Sequence, residues 1–365
     1  MALAARRGDR MSRGQGCTIA SAWASGRNNF NLIRLIAAWL VIYGHAWAIT
    51  GSSGGDLVTR LTQFKFAGGV AVDMFFVISG FLIAASLERN SARAYLAGRA
   101  LRILPALVVC VALSVFVLGP LLTTAADYWR HPDTWRYLWV NGSLWSNTYF
   151  LPGVFQDHAN RAINGSLWTL PIEARLYLAL LAAGALGLLA PRRYTVLWAL
   201  ALSGVYALAV WRHPLPDHLA NYAWTCAFFI TGTAAWIHRS RVVLSPWLAL
   251  ALLALCAIAR GTPWFHLPYF FLLAYGTLYL GFAVRLPLIR RHDLSYGLYL
   301  YGWPAGQLVQ SLAPGGPLHN TAWTSLLALG LAAGSWFLVE RPALRWKRRL
   351  LAPAPAASPA SGAAG

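Results

Sequence analysis

Apolar residues along this chain gather into ten runs, near residues 30–50, 69–87, 101–122, 168–189, 194–211, 222–238, 243–259, 266–284, 294–312 and 321–339. Each approaches the roughly 20 apolar residues that a helix needs to cross the hydrocarbon core of a bilayer. The connections are short and punctuated by breakers: Gly51 to Gly55, Pro191, Pro214 with Pro216, and Pro314 to Pro317. The pattern predicts an all-α, polytopic transmembrane helix bundle of about ten spans, with no internal repeat.

Composition agrees. Hydrophobic residues make up 58% of the chain and charged residues 11%, whereas a soluble domain carries about 25% charge. The formal charge of +19 would suit a nucleic-acid partner, but the basic residues sit in short loops beside apolar runs, so the lipid bilayer is the expected partner and nucleic acid is not. Alternate loops differ sharply in Lys and Arg, 21 in one set against 7 in the other. By the positive-inside rule this places both termini in the cytoplasm and requires an even number of spans. Residues 1–27 read as a disordered basic N-terminus, 28–345 as the membrane domain and 346–365 as a disordered tail. Ala46-Trp47-Ala48 imitates a signal-peptide cleavage site, but Arg34 within the same run and the polytopic remainder argue against one. Cys17, Cys110, Cys226 and Cys256 lack metal-ligand spacing and three lie in apolar runs, so neither a disulfide framework nor a metal site is expected.

Ionisable groups inside spans are costly and point to function. Five remain once the loops are set aside: Arg34, His45, Asp73, Glu173 and Arg175. Arg34 and His45 are eleven residues apart, which is about 16 Å along a helix and roughly 20° around it. They therefore share one face, with Arg34 toward the cytoplasm and His45 in the outer third. Asp73 and Glu173 both lie shortly after an outer entry point and are expected near the depth of His45. An imidazole beside a carboxylate suits general-base catalysis on a hydroxyl; a buried structural pair holding helices together is the alternative. Arg99 and Arg102, spaced i and i+3 at a cytoplasmic edge, share a face. With Arg34 they form a basic mouth matching phosphate groups, or simply anchor the span. Arg175 is either a structural ion-pair partner or a substrate contact. The outer loop 123–167 is rich in Trp and Tyr, as an interfacial belt or as stacking faces for sugars. Asn141-Gly142-Ser143 and Asn164-Gly165-Ser166 match the glycosylation triplet.

Several segments resemble the acyltransferase-3 family of bacterial membrane O-acyltransferases, from about Asn29 to Pro342. They are Arg34 and His45 in NLIRLIAAWLVIYGHAW; Asp73, Phe75, Phe76, Ser79 and Gly80 in GGVAVDMFFVISGFLI; Arg99 and Arg102 in RALRILPAL; and Ser166, Trp168 and Glu173 in NGSLWTLPIEARLYL. Weaker echoes are SYGLYLYGWP from Ser295 to Pro304 and the closing Glu340-Arg341-Pro342. One position departs: many relatives carry a His before Trp-Pro, and this chain has Gly302. The resemblance implies a ten-helix enzyme of the bacterial inner membrane. It moves an acyl group, acetyl by expectation, from cytoplasmic acyl-CoA to a glycan or lipid-linked glycan, with no permanently bound cofactor.

Carried over residue by residue, the resemblance makes His45 the catalytic base; Glu173 or Asp73 is expected to hold its ring in the useful tautomer. Arg34, Arg99 and Arg102 become the donor-binding residues. An acyl-His45 intermediate is a second route. A transporter using the buried charges as a proton relay is the main rival, although the paired broken segments of repeat-built transporters are missing. An accessory subunit of a polysaccharide assembly complex is another.

Overall fold

The computed structural model describes residues 17–210, 216–289 and 292–350. The main helices among them are α1 (Ile19–Ala24), α2 (Phe30–Thr50), α3 (Leu57–Thr62), α4 (Ala67–Arg89), α5 (Ala92–Leu113), α6 (Pro132–Gly142), α7 (Thr169–Ala185), α8 (Pro191–Val210), α9 (Asp217–Ile237), α10 (Pro246–Ala259), α11 (His266–Phe282), α12 (Ser295–Leu312), α13 (Pro317–Ser335) and α14 (Arg341–Leu350). No strand occurs among the described residues; one isolated bridge joins Thr18 to Val243. A helix stands at each of the ten apolar runs. Among the described residues, five helical stretches are long and apolar enough to cross a membrane: Phe30–Thr50, Ala67–Arg89, Ala92–Leu122, Gly165–Ala185 and Pro317–Trp346.

Large apolar side chains remain exposed on the outer helices, among them Trp247, Leu253 and Ile258 on α10 and Leu326 on α13. Such a surface needs lipid rather than water around it. The protected centre is α4, packed against α2, α9 and α11, while α2 also meets α12 and α13. Small residues permit this. A methyl group on Gly80 would run into the Phe229 carbonyl, and one on Gly232 into the Val77 carbonyl, so α4 and α9 approach backbone to backbone.

Both ends of the predicted domain map need correction. The N-terminal stretch 1–27 was expected to be disordered, but Thr18 and Ser21 form a reciprocal capping box at the start of α1. Trp23 then packs on Phe81, Trp236 and Phe282. At the other end the tail expected from residue 346 is helical as far as Leu350, because α13 runs through a π-turn at Trp336–Glu340 into α14. Residues 1–16 and 351–365, the rest of the two stretches expected to be disordered, lie outside the described residues.

Candidate active site

Five helices enclose a cavity of about 100 Å³ at the end of the bundle where α2 and α12 begin. Arg34 enters from α2, Arg99 and Arg102 from α5, Ser79 from α4, and Glu173 and Tyr177 from α7; Ser295, Tyr296 and Tyr299 of α12 complete the wall. The structure therefore unites the three arginines that spacing alone left uncertain. It also supplies their counter-charge. Asp293, just ahead of α12, places one carboxylate oxygen 3.2 Å from Arg34 and 2.5 Å from Arg102. Glu340 stands 3.6 Å from Arg102 on its other side. Burial pushes the Asp293 carboxyl up, but Arg34, Arg102 and the Ser295 hydrogen bonds together outweigh it and hold the group well below the usual carboxylate range. Arg99 differs: its buried Nε has no partner among the described residues, so it is the donor left over for an oxygen entering the cavity.

His45 stands beyond this cavity, three turns further along α2 from Arg34. Its Nδ1 lies 2.7 Å from the Val41 carbonyl. A carbonyl only accepts, so Nδ1 carries the proton and Nε2 keeps its lone pair. The ring meets Phe66 edge-on, with centroids 5.1 Å apart, and Trp303 at a tilt, with centroids 4.7 Å apart. Gly68 faces the ring as well, since a Cβ there would come within 3.2 Å of its Cε1. Val72 and Tyr299 line the outer end of the cavity, and each is four residues, about 6 Å, from the His45 shell at Gly68 and Trp303. Between the two compartments Phe75 meets Tyr299 edge to face at 5.8 Å. Tyr299 donates to the Ser166 carbonyl at 2.5 Å and is hydrogen-bonded to Thr169 at 2.6 Å.

Neither predicted carboxylate reaches His45, and this is a correction to the expected geometry. Asp73 is five residues beyond Gly68, about 140° round α4, and faces α9 and α11 instead. It accepts from Lys65 at 2.7 and 2.8 Å, from Tyr269 at 2.9 Å and from Trp224 at 3.2 Å. Glu173 accepts from Ser79 at 3.0 Å and from Tyr177. Ser79 is eleven residues past Gly68, so Glu173 sits about 16 Å from His45 along the bundle axis, level with Arg34. The expected common depth fails because the chain ahead of α7 already lies within the bundle: Asn164 and Ser166 are buried, and Asn164 donates to the Leu300 carbonyl at 2.8 Å. The backbone carbonyl of Val41 does the ring-holding assigned to a carboxylate.

The remaining candidates take structural places. Arg175 donates to the Trp145 carbonyl at 2.6 Å and stacks on the Trp145 ring, tying α7 to the outer loop. Trp139 and Trp145 in that loop are exposed while Tyr128 and Tyr137 are buried. Gly302 packs directly on Ile42, where an added Cβ would come within 2.7 Å. Sequence reasoning missed Asp293, Tyr177 and Lys65. Asp293 is the only acid in the stretch RRHDLSYG, the one signal that marked it.

A lipid-facing helical bundle with a tautomer-fixed imidazole above an arginine-lined cavity defines a membrane-embedded enzyme of the group-transfer type. Residues 27–340 match the acyltransferase-3 family, described as "Acyltransferase domain", and the chain belongs to that family. It is a multi-pass membrane enzyme that transfers acyl groups. It is 29% identical over 333 residues to an "O-acetyl transferase" of Shigella phage Sf6, covering 86% of this chain and 95% of the relative. It is likewise 29% identical over 363 residues to "Nodulation protein 10" of Rhizobium leguminosarum bv. viciae, covering 89% and 95%. No solved structure matches the chain.

Proposed function

We propose that this protein is an O-acetyltransferase of the bacterial inner membrane, with ten spans and both termini in the cytoplasm. It transfers the acetyl group of cytoplasmic acetyl-CoA to a hydroxyl of a cell-envelope or exported glycan. The observation that carries the reading is the tautomer of His45: with Nδ1 held by Val41, Nε2 is a basic nitrogen on a fixed ring, one helical turn outward of the arginine cavity. The similarity to a relative named O-acetyl transferase supports the choice of acetyl.

In this reading the donor enters from the cytoplasmic side past Arg34, Arg99 and Arg102. Arg34 and Arg102 already share the Asp293 carboxylate, while the buried Nε of Arg99 has no partner among the described residues and is a free donor for the incoming chain. The apolar wall of Val72, Ile78, Leu82 and Leu170 suits the pantetheine arm. The thioester then reaches the His45 layer. Nε2 takes the proton of the acceptor hydroxyl as its oxygen attacks the thioester carbonyl. The carbon–sulfur bond breaks, and the imidazolium returns the proton to the leaving thiolate. Glu173, remote from His45, shapes the donor cavity through Ser79 and Tyr177.

The test is transfer from labelled acetyl-CoA in native membranes, comparing wild type with His45→Ala and Arg34→Ala at matched protein levels. Label on envelope glycan with wild type, lost with His45→Ala, is the expected result. Equal transfer by wild type and His45→Ala would overturn the reading.

A further inference from the structure

The segment between α2 and α4 is fastened at two points. Asp56, 1% exposed, caps α3 through Thr59 and accepts the Ala67 amide at 2.7 Å, closing residues 56–67 into a loop. Lys65 then reaches down to Asp73, whose side chain is fully buried, and grips both carboxylate oxygens. Trp224 of α9 and Tyr269 of α11 hold the same carboxylate, and Phe64 packs its ring on Trp224, Phe265 and Tyr269. The residue next to Lys65 is Phe66, which forms one wall of His45. That wall lies where α2 and α4 touch: a Cβ on Gly44 would strike the Gly68 amide and the Phe66 ring. A short chain link therefore connects a buried ion pair to the orientation of the imidazole.

We propose that Asp73 and Lys65 are positioning residues for His45: their ion pair presses the loop 56–67 onto α4, so that Phe66 holds the imidazole plane and shields its outer side. The proposal rests on the reading of His45 as the base. It gives Asp73 a role that does not involve contact with either substrate. Burial lowers the Lys65 ammonium from its ordinary pKa, and Asp73 counters that in part.

The test uses the full-length protein in detergent or membranes, in four versions: Lys65→Met, Asp73→Asn, Phe66→Ala and Phe66→Leu. The first readout is ethoxyformylation of His45 by diethyl pyrocarbonate, followed by mass spectrometry of the His45 peptide; it needs no acyl transfer. Lys65→Met, Asp73→Asn and Phe66→Ala are expected to raise the rate of His45 modification at least fivefold, and Phe66→Leu to restore the wild-type rate. The second readout is steady-state transfer. The same three variants are expected to lose at least tenfold in kcat with the donor KM within twofold. Phe66→Ala keeps the ion pair intact, so it decides the case if either charge variant fails to fold. Wild-type modification rates in Phe66→Ala and Lys65→Met would overturn the proposal. So would loss of transfer confined to Asp73→Asn, which would make Asp73 a direct participant. If wild type itself transfers nothing, the acetyltransferase reading fails while the modification rates still decide the positioning claim.

Discussion

Asp293→Asn isolates the charge that organises the donor cavity, because the substitution keeps the side chain's shape. In the wild type one Asp293 oxygen serves two guanidinium groups, at 3.2 and 2.5 Å. The side chains of Arg34, Asp293 and Arg102 are 24%, 14% and 15% exposed, so solvent screens them only in part. Removing one partner of such a buried group costs about 3–5 kcal/mol. Here Glu340 remains beside Arg102 and the amide oxygen retains one neutral hydrogen bond, worth about 1 kcal/mol. The lower end, about 3 kcal/mol, is expected. At roughly 2 °C per kcal/mol the unfolding midpoint in detergent should fall by about 6 °C. The pH dependence has a definite sign. The native carboxyl titrates below the ordinary range, so its contribution is fully present above about pH 4, the unfolded value, and fades as pH falls toward the depressed native one. The difference between wild type and Asp293→Asn should thus be present at neutral pH and be lost only in stronger acid. A midpoint within 1 °C of wild type at neutral pH would refute the claim that Asp293 holds this pair of arginines together.

Other substitutions probe the remaining elements. His45→Gln keeps a polar side chain but no base, and transfer should fall by about 10²–10⁴-fold, measured as label incorporated per minute. Gly302→His should destabilise the bundle by about 1–3 kcal/mol of overpacking, since its Cβ meets Ile42; adding Ile42→Ala should recover much of the loss in a thermal-midpoint assay. Gly80→Val, aimed at the Phe229 carbonyl, should be worse than Gly302→His and give little folded protein by size exclusion. Glu173→Gln should raise the donor KM more than it lowers kcat, because Glu173 lies in the arginine cavity and remote from His45; an effect on kcat alone would count against that placement.

The hydrophobic pattern by itself determined that this is an all-helical membrane protein, and roughly where each helix lies, because twenty apolar residues in a row have few other solutions in water or lipid. It also determined that Arg34 and His45 share a face three turns apart, a consequence of helical repeat within one element. The motifs that resemble the acyltransferase-3 family marked the arginines now seen around one cavity. What crosses between helices was decided only by the tertiary structure. Whether Asp73 or Glu173 served His45 depended on the rotation of α4 and on how deep the chain before α7 sinks, and neither is written in a single span's periodicity. Lys65 appeared in sequence as an ordinary loop charge, yet it is the partner of the most buried acid near the site. Asp293 reads as one acid among bases until the folding of α2, α5 and α12 together brings Arg34 and Arg102 to it. Local periodicity sets which side of a helix a residue occupies; only packing sets what stands opposite.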